Sequence, residues 1–234
     1  MIGNVQNSLS FVHCFLPSTD PISPITLLVL HGGDENELTR LPLGRALAPG
    51  AALLSPRGRI LEGDKPRYYP RFADLSFDRE NLTLQTHALA DFVTAAAAAH
   101  GFDAGSVVVA GYSNGANMAA SLLLLRPEVL AGALLIRPVA PFVPERLPDL
   151  TGKPIFIAAG DRDPISPPAE SERLALWYRV AGAAVVLRRH PGDHEIVDDE
   201  IAAGRDWLRS VGVTLARRDA GSALLPTATP LGSA

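Results

Sequence analysis

Gly111-Tyr112-Ser113-Asn114-Gly115 follows the β-branched run Val107-Val108-Val109-Ala110 and leads into residues 116–125, so the passage reads as strand, tight turn and helix. In a G-x-S-x-G turn of this kind the serine takes a strained backbone conformation. Side chains larger than hydrogen two positions to either side would collide there. The strain lifts the hydroxyl above the sheet edge. The N–H of the next residue, Asn114, then points to where a negative oxygen would develop. The pentapeptide alone also arises by chance; the strand before it and the helix after it give it meaning. Ser113 is the candidate nucleophile and Asn114 a candidate oxyanion donor.

Working outward, residues 25–30 form a continuous apolar run between Pro24 and Gly32, as expected of a strand buried on both faces. Residues 11–16 read as an edge strand stopped by Pro17, and 51–55 as a short strand stopped by Pro56. A helix is expected over 38–48, with Pro42 near its start. Residues 57–78 read as a long irregular, glycine- and proline-bearing stretch of the kind that lines sites. The segment 81–100 predicts a helix with Leu84, Ala88, Phe92, Ala95 and Ala99 on its buried face and Gly101 as its stop.

Downstream, strands are expected over 130–136, 155–159 and 184–187, and helices over 168–181 and 195–210. A proline-rich loop fills 138–154. Strands alternating with helices mean an α/β fold with a mostly parallel sheet, helices on both faces and right-handed crossovers. Ligands of such folds sit at the carboxyl ends of the strands. The reading gives one domain over 1–218 and no insertion long enough for a large cap. Residues 219–234, small and low in core formers, are expected as a disordered tail.

With 234 residues, 47% of them apolar, the chain can bury the core of a single α/β domain. The net charge of −4 and the lack of a Lys/Arg cluster speak against nucleic-acid binding. Cys14 is the only cysteine, so an internal disulfide and a cysteine zinc site are excluded and a reducing cytoplasm fits. The N-terminus lacks a basic region followed by an apolar core, and no run of about 18 apolar residues occurs, so neither a secretory signal nor membrane insertion is expected.

A serine hydroxyl needs a base, and the base an orienting carboxylate. On α/β folds with this elbow the chain order is serine, acid, histidine. Ala158-Ala159-Gly160-Asp161-Arg162-Asp163-Pro164-Ile165 supplies two acids just past an apolar run. Asp163 is favoured because a residue two or three beyond the strand end can turn back toward the sheet; Asp161 is its rival, and either could instead make a local Asx turn. His190-Pro191-Gly192-Asp193-His194-Glu195 supplies the base. His194 opens the final helix region, whereas its rival His190 ends the strand itself. In Leu30-His31-Gly32-Gly33 a second oxyanion donor is expected, best placed at Gly33, with His31 a buried imidazole holding the loop. Tyr68, Tyr69 and Phe72 are candidates for lining a substrate groove. Arg57 and Arg59 either meet a polar group of the substrate or brace their loop.

These residues together resemble the phospholipase/carboxylesterase family of α/β-hydrolases, which includes the acyl-protein thioesterases. The similarity is strongest to small bacterial carboxylesterases associated with hydroquinone and quinone stress. Its carriers are Leu30-His31-Gly32, Asp34-Glu35-Asn36-Glu37-Leu38, Ser55-Pro56-Arg57-Gly58, the elbow through Asn117, Ala158-Ala159-Gly160, Asp163-Pro164-Ile165, Gly192 and His194. The resemblance implies an α/β-hydrolase fold, Ser113 as nucleophile, Asp163 as acid and His194 as base. It implies hydrolysis of small-molecule carboxylic esters with no metal and no organic cofactor; thioesters and lysophospholipids are the alternative substrates. Many members are dimers, which admits a homodimer. Two departures stand out: Gly33 runs straight into Asp34 where relatives carry a longer stretch, and Asp193 precedes His194 where many carry glycine or arginine. Dienelactone-type hydrolases share the fold but typically use a cysteine at the elbow. A binding protein on the same scaffold would lack turnover.

Overall fold

The computed structural model describes residues 5–20, 22–70 and 77–222. In chain order its elements are β1 (Val5–Gln6), β2 (His13–Leu16), β3 (Thr26–Leu30), α1 (Leu41–Leu47), β4 (Ala52–Pro56), β5 (Ile60–Glu62) and β6 (Lys65–Arg67). There follow α2 (Arg79–His100), β7 (Val107–Tyr112), α3 (Asn114–Leu125), β8 (Gly132–Ile136), β9 (Pro154–Gly160), α4 (Pro168–Val180), β10 (Ala184–His190) and α5 (Asp198–Ser222). The main sheet has the order β1-β2-β4-β3-β7-β8-β9-β10. Only β2 runs against its neighbours β1 and β4; every other pairing is parallel.

Two apolar layers sandwich this sheet, and the two-residue alternation of a strand distributes the side chains between them. Leu28, Leu30, Val109, Leu135 and Ile157 face α2, α3 and α4 on one side. Leu27, Val29, Val108, Leu134, Ile136 and Phe156 face α1 and α5 on the other. Both faces are covered, so the central strands read as unbroken apolar runs. Among the described residues no large cap lies over the C-terminal edge of the sheet; β8 passes to β9 through the proline-rich loop.

Some expectations need correction. The buried face of α2 is Leu82, Thr86, Leu89, Ala90, Phe92, Val93, Ala96 and Ala97, so Phe92 is buried as expected, while Leu84 is exposed, as are Ala95 and Ala99. Both stripes have helical spacing. On an alanine-rich helix the choice falls to where the larger residues meet the sheet, which periodicity alone does not tell. The ends of α2 follow their chemistry: the Asp78 carboxylate accepts the Asn81 N–H at 3.0 Å, and Gly101 closes the helix at φ 73°. The stretch after Arg57 is not wholly irregular, since β5 and β6 pair as an antiparallel hairpin. Helix α1 begins at Leu41 with Pro42 in its first turn, and β10 extends to His190. Helix α5 runs to Ser222, so residues 219–222 are helical where a tail was expected; residues 223–234 lie outside the described residues.

Candidate active site

The elbow is built by close approach. A Cβ on Gly111 would lie 2.5 Å from the Gly115 carbonyl oxygen, and one on Gly115 would lie 2.4 Å from the carbonyl oxygen of Leu30. Hydrogen is the only substituent that lets the first turn of α3 settle on β3 and β7. Ser113 between them has φ 51°, ψ −112°, a costly conformation for a residue with a Cβ. Its N–H is tied to the Ile136 carbonyl of β8 at 2.9 Å. Ser113 stands at the N-cap position of α3, yet its side chain caps nothing. Instead the hydroxyl meets a ring nitrogen: Ser113 Oγ lies 3.0 Å from His194 Nε2.

The other nitrogen of that ring, His194 Nδ1, lies 2.7 Å from Asp163 Oδ2. The Asp163 carboxylate is fully buried, and its second oxygen accepts the N–H groups of Ile165 (2.8 Å) and Ser166 (2.9 Å). With both oxygens occupied, the carboxylate cannot rotate freely. Ser113, Asp163 and His194 come from three separated segments and form one hydrogen-bonded line at the C-terminal edge of the sheet. Their rivals are engaged elsewhere. Asp161 is exposed and pairs with Arg189 at 2.6 Å. His190 Nδ1 accepts the Gly192 N–H at 3.0 Å, and its Nε2 contacts Arg137. Asp193 is exposed and caps its own turn by accepting the Glu195 N–H. The Tyr112 ring packs 5.3 Å from the His194 ring and its hydroxyl donates to the His194 carbonyl, while the Arg40 guanidinium covers the tyrosine's ring at 4.0 Å. Burial pushes the Tyr112 hydroxyl above its ordinary range, keeping it a neutral donor.

The loop after β3 is fixed amide by amide. The His31 N–H donates to the Tyr68 hydroxyl (3.3 Å), the Gly32 N–H to Glu35 Oε2 (2.8 Å) and the Asp34 N–H to the Pro66 carbonyl (3.2 Å). Of these four consecutive amides, Gly33 alone has no acceptor among the described residues. Asn114, as the first residue of α3, has an amide with no intrahelical acceptor. Among the described residues both expected oxyanion donors are therefore uncommitted main-chain N–H groups. His31 holds this loop: its Nε2 accepts the Gly58 N–H at 2.9 Å and its Nδ1 donates to the Gly32 carbonyl at 2.6 Å. Burial lowers its proton affinity, which keeps the ring in the neutral form that these two bonds need.

The stretch after Arg57 plays a different part from the one expected. Tyr68 and Tyr69 are buried framework and do not line an open groove. The Tyr68 hydroxyl donates to the Pro56 carbonyl, and its N–H donates to Asn114 Oδ1, which ties the elbow to this loop. The Tyr69 hydroxyl accepts from Asn117 Nδ2 at 2.8 Å. Phe72 lies outside the described residues. Arg57 is paired in a two-point fork with the buried Glu37. Burial opposes the Glu37 charge, but the hydrogen bond and charge of Arg57 outweigh it and hold the carboxyl below its ordinary range. Arg59 is bonded to Gln85 and lies 4.4 Å over the Phe11 ring.

Sequence reading missed Arg137 and Glu200. Arg137 is the largest fully buried side chain among the described residues, sits at φ 59° directly after β8, and forks onto Glu200 with both bonds at 2.8 Å. The available signal was an arginine closing the apolar run Leu134-Leu135-Ile136 at the C-terminal edge, where solvent would otherwise be the default for such a residue. Among the described residues no cluster of three or more His, Cys, Asp or Glu could hold a metal ion, and no helix is long and apolar enough to cross a membrane.

Comparison with known proteins places the chain among hydrolases. The dienelactone hydrolase family model matches residues 56–209. The chain is 42% identical over 183 residues to the putative hydrolase MhqD of Bacillus subtilis (strain 168), covering 78% of this chain and 92% of that one. The Bacillus cereus carboxylesterase superimposes with a TM-score of 0.84 at 39% identity, over 87% of this chain and 96% of the other. A carboxylesterase from Mesorhizobium loti superimposes with a TM-score of 0.82 at 34% identity, over 89% and 99% of the two chains. A serine at the elbow does not set the chain apart from the family, as the sequence had suggested. The chain belongs to the dienelactone hydrolase family and is a hydrolase of the carboxylesterase type.

Proposed function

We propose that the protein is a serine carboxylesterase in which Ser113, His194 and Asp163 act as catalytic triad. The observation that carries this reading is the continuous line from Ser113 Oγ through the His194 ring (3.0 Å) to the buried Asp163 carboxylate (2.7 Å). His194 Nε2 takes the hydroxyl proton as Ser113 Oγ adds to the ester carbonyl. The resulting oxyanion is met by the N–H groups of Gly33 and Asn114. Collapse of the tetrahedral intermediate breaks the carbon–oxygen bond to the alcohol, which leaves with the proton held on His194. Water then adds to the acyl-serine, His194 again taking and returning a proton, and the carboxylic acid departs. Asp163 holds the imidazole with its proton on Nδ1 and stabilises the charged ring.

An uncapped edge favours small or aryl esters, since a long acyl chain would lie largely in water. The buried free Cys14 suits a reducing cytoplasm, and a homodimer is compatible with the proposal. The reading is tested with p-nitrophenyl esters of increasing acyl length, run beside Ser113→Ala. The expected result is turnover highest for the shortest acyl groups and lowered about a million-fold in kcat by S113A. Preference for long chains would move the assignment to a lipase or thioesterase. Hydrolysis by S113A at the wild-type rate would overturn it.

A further inference from the structure

Arg137 is a guanidinium with no solvent exposure, placed beneath the loop that carries the proposed base. Burying an ionised side chain is costly unless its charge and its donors are met. Here they are met by Glu200 and by carbonyls of the loop that carries His194, while Nη2 also touches the His190 ring. The fork onto Glu200 supplies the countercharge. Nε donates to the Asp193 carbonyl at 3.0 Å, and Nη2 donates to the Glu195 carbonyl at 2.5 Å. Those two carbonyls flank His194 in the chain. Nε also lies 3.8 Å from Asp163 Oδ2. The main chain of Arg137 completes the arrangement, for its carbonyl accepts the Ser166 hydroxyl at 2.9 Å, and the Ser166 N–H holds Asp163 Oδ1.

We propose that Arg137, neutralised by Glu200, is the positioning residue of the base: it clamps the His194 loop by the carbonyls on either side of that histidine and references it to the acid loop. This rests on His194 and Asp163 acting as base and acid. Arg137 touches no reacting atom. Its contribution is to hold Nε2 at the nucleophile, where displacement by about 1 Å is worth about a hundred-fold in rate. It also places one cation near the imidazole–carboxylate pair. The other charged or titratable groups about His194 are Asp163 from the loop after β9, Glu200 from α5, His190 at the end of β10, Tyr112 from β7 with Arg40 over its ring, and the exposed neighbours Asp193 and Glu195.

The test uses the full chain and the variants Arg137→Met/Glu200→Leu, Arg137→Lys and Glu200→Gln. Replacing both charges by apolar groups of similar size removes the buried ion pair without stranding either ion, so the double variant keeps the fold. The expected result is a melting temperature near that of the wild type and kcat lowered about a hundred-fold with KM nearly unchanged, while the acid limb of the pH–rate profile stays near its wild-type place, because cation and countercharge leave together. R137K retains both charges but not the fork, so its expected loss in kcat also comes with the limb in place. E200Q leaves the cation without its countercharge, and its acid limb is expected at lower pH. A purely structural role would restore kcat together with the melting temperature and would not move the E200Q limb.

Hydrogen exchange of the 191–197 amides gives a readout independent of turnover, with a rise of at least about ten-fold expected in R137M/E200L while β8 stays protected. Unchanged exchange there, or kcat of the double variant within about three-fold of wild type, would overturn the clamp. Wild-type protein that hydrolyses no ester would instead overturn the triad reading, leaving exchange to judge the clamp.

Discussion

Asp163→Asn separates the two aspartates that compete in the sequence and tests the hydrogen-bond polarity of the site. Oδ1 of Asp163 accepts two main-chain N–H groups, at 2.8 and 2.9 Å, while Oδ2 faces His194 Nδ1 at 2.7 Å. An asparagine can keep its oxygen on the two amides or turn its NH2 toward them. Turning strands two main-chain donors, the buried one at about 1–3 kcal/mol, against a single mismatch in the other orientation, so the oxygen stays where it is. The NH2 then faces His194, and a donor there requires a lone pair on Nδ1. The ring must carry its proton on Nε2, directed at Ser113 Oγ, and can no longer accept the hydroxyl proton. A wrong tautomer of this kind lowers kcat by about ten thousand-fold, roughly 5 kcal/mol in barrier. Asp161→Asn removes only an exposed, solvent-screened ion pair with Arg189 and is expected to leave kcat unchanged. The assay is p-nitrophenyl acetate hydrolysis under saturation, with circular dichroism to verify folding. A folded D163N variant retaining more than a tenth of wild-type kcat, or D161N being the inactive one, would refute the reasoning.

Gly115→Ala puts a Cβ 2.4 Å from the Leu30 carbonyl oxygen and 2.5 Å from that of His31, both rigid main chain. Overpacking of about 1–3 kcal/mol is expected, read as a melting temperature lower by roughly 2–12 °C with kcat falling more than KM changes; an unaltered melting curve would contradict the packing of the elbow. Burial lowers the proton affinity of His31 below the ordinary histidine value of 6.5, so the unfolded chain binds more protons just below that pH. Its contribution to stability is therefore full above pH 6.5 and is lost as pH falls through the folded-state value. His100, lowered by burial and by its neighbour His13, acts in the same direction, so the comparison must be made between wild type and His31→Gln. Denaturant midpoints at pH 8 and pH 5 should show a larger acid loss in the wild type, and equal losses would contradict it.

What was legible in the sequence follows from where the chain's chemistry is local. The elbow, the buried run of β3 and the strand-then-acid and strand-then-histidine segments each announce themselves within a few residues. A serine, an acid and a base in that order then leave one topology to join them. Legibility fails where the deciding partner is distant. The face of α2 was misread because alanine offers little contrast between core and solvent. Tyr68 and Tyr69 passed for groove lining because their hydroxyls' partners, Pro56 and Asn117, are set by tertiary folding. Arg137 went unnoticed because nothing near it in the chain signals Glu200, which lies on another element and satisfies it only after folding. The helix beyond position 218 was missed because the small residues there are weak as core formers but do not forbid helix.

A fluorophosphonate probe tests the central claim most directly, since it reacts only with a serine whose hydroxyl is activated by a neighbouring base. Intact mass and peptide mapping of the folded protein should show one adduct, on Ser113, absent from S113A and strongly slowed in His194→Ala. No adduct in folded wild-type protein, or an adduct on another residue, would contradict the account.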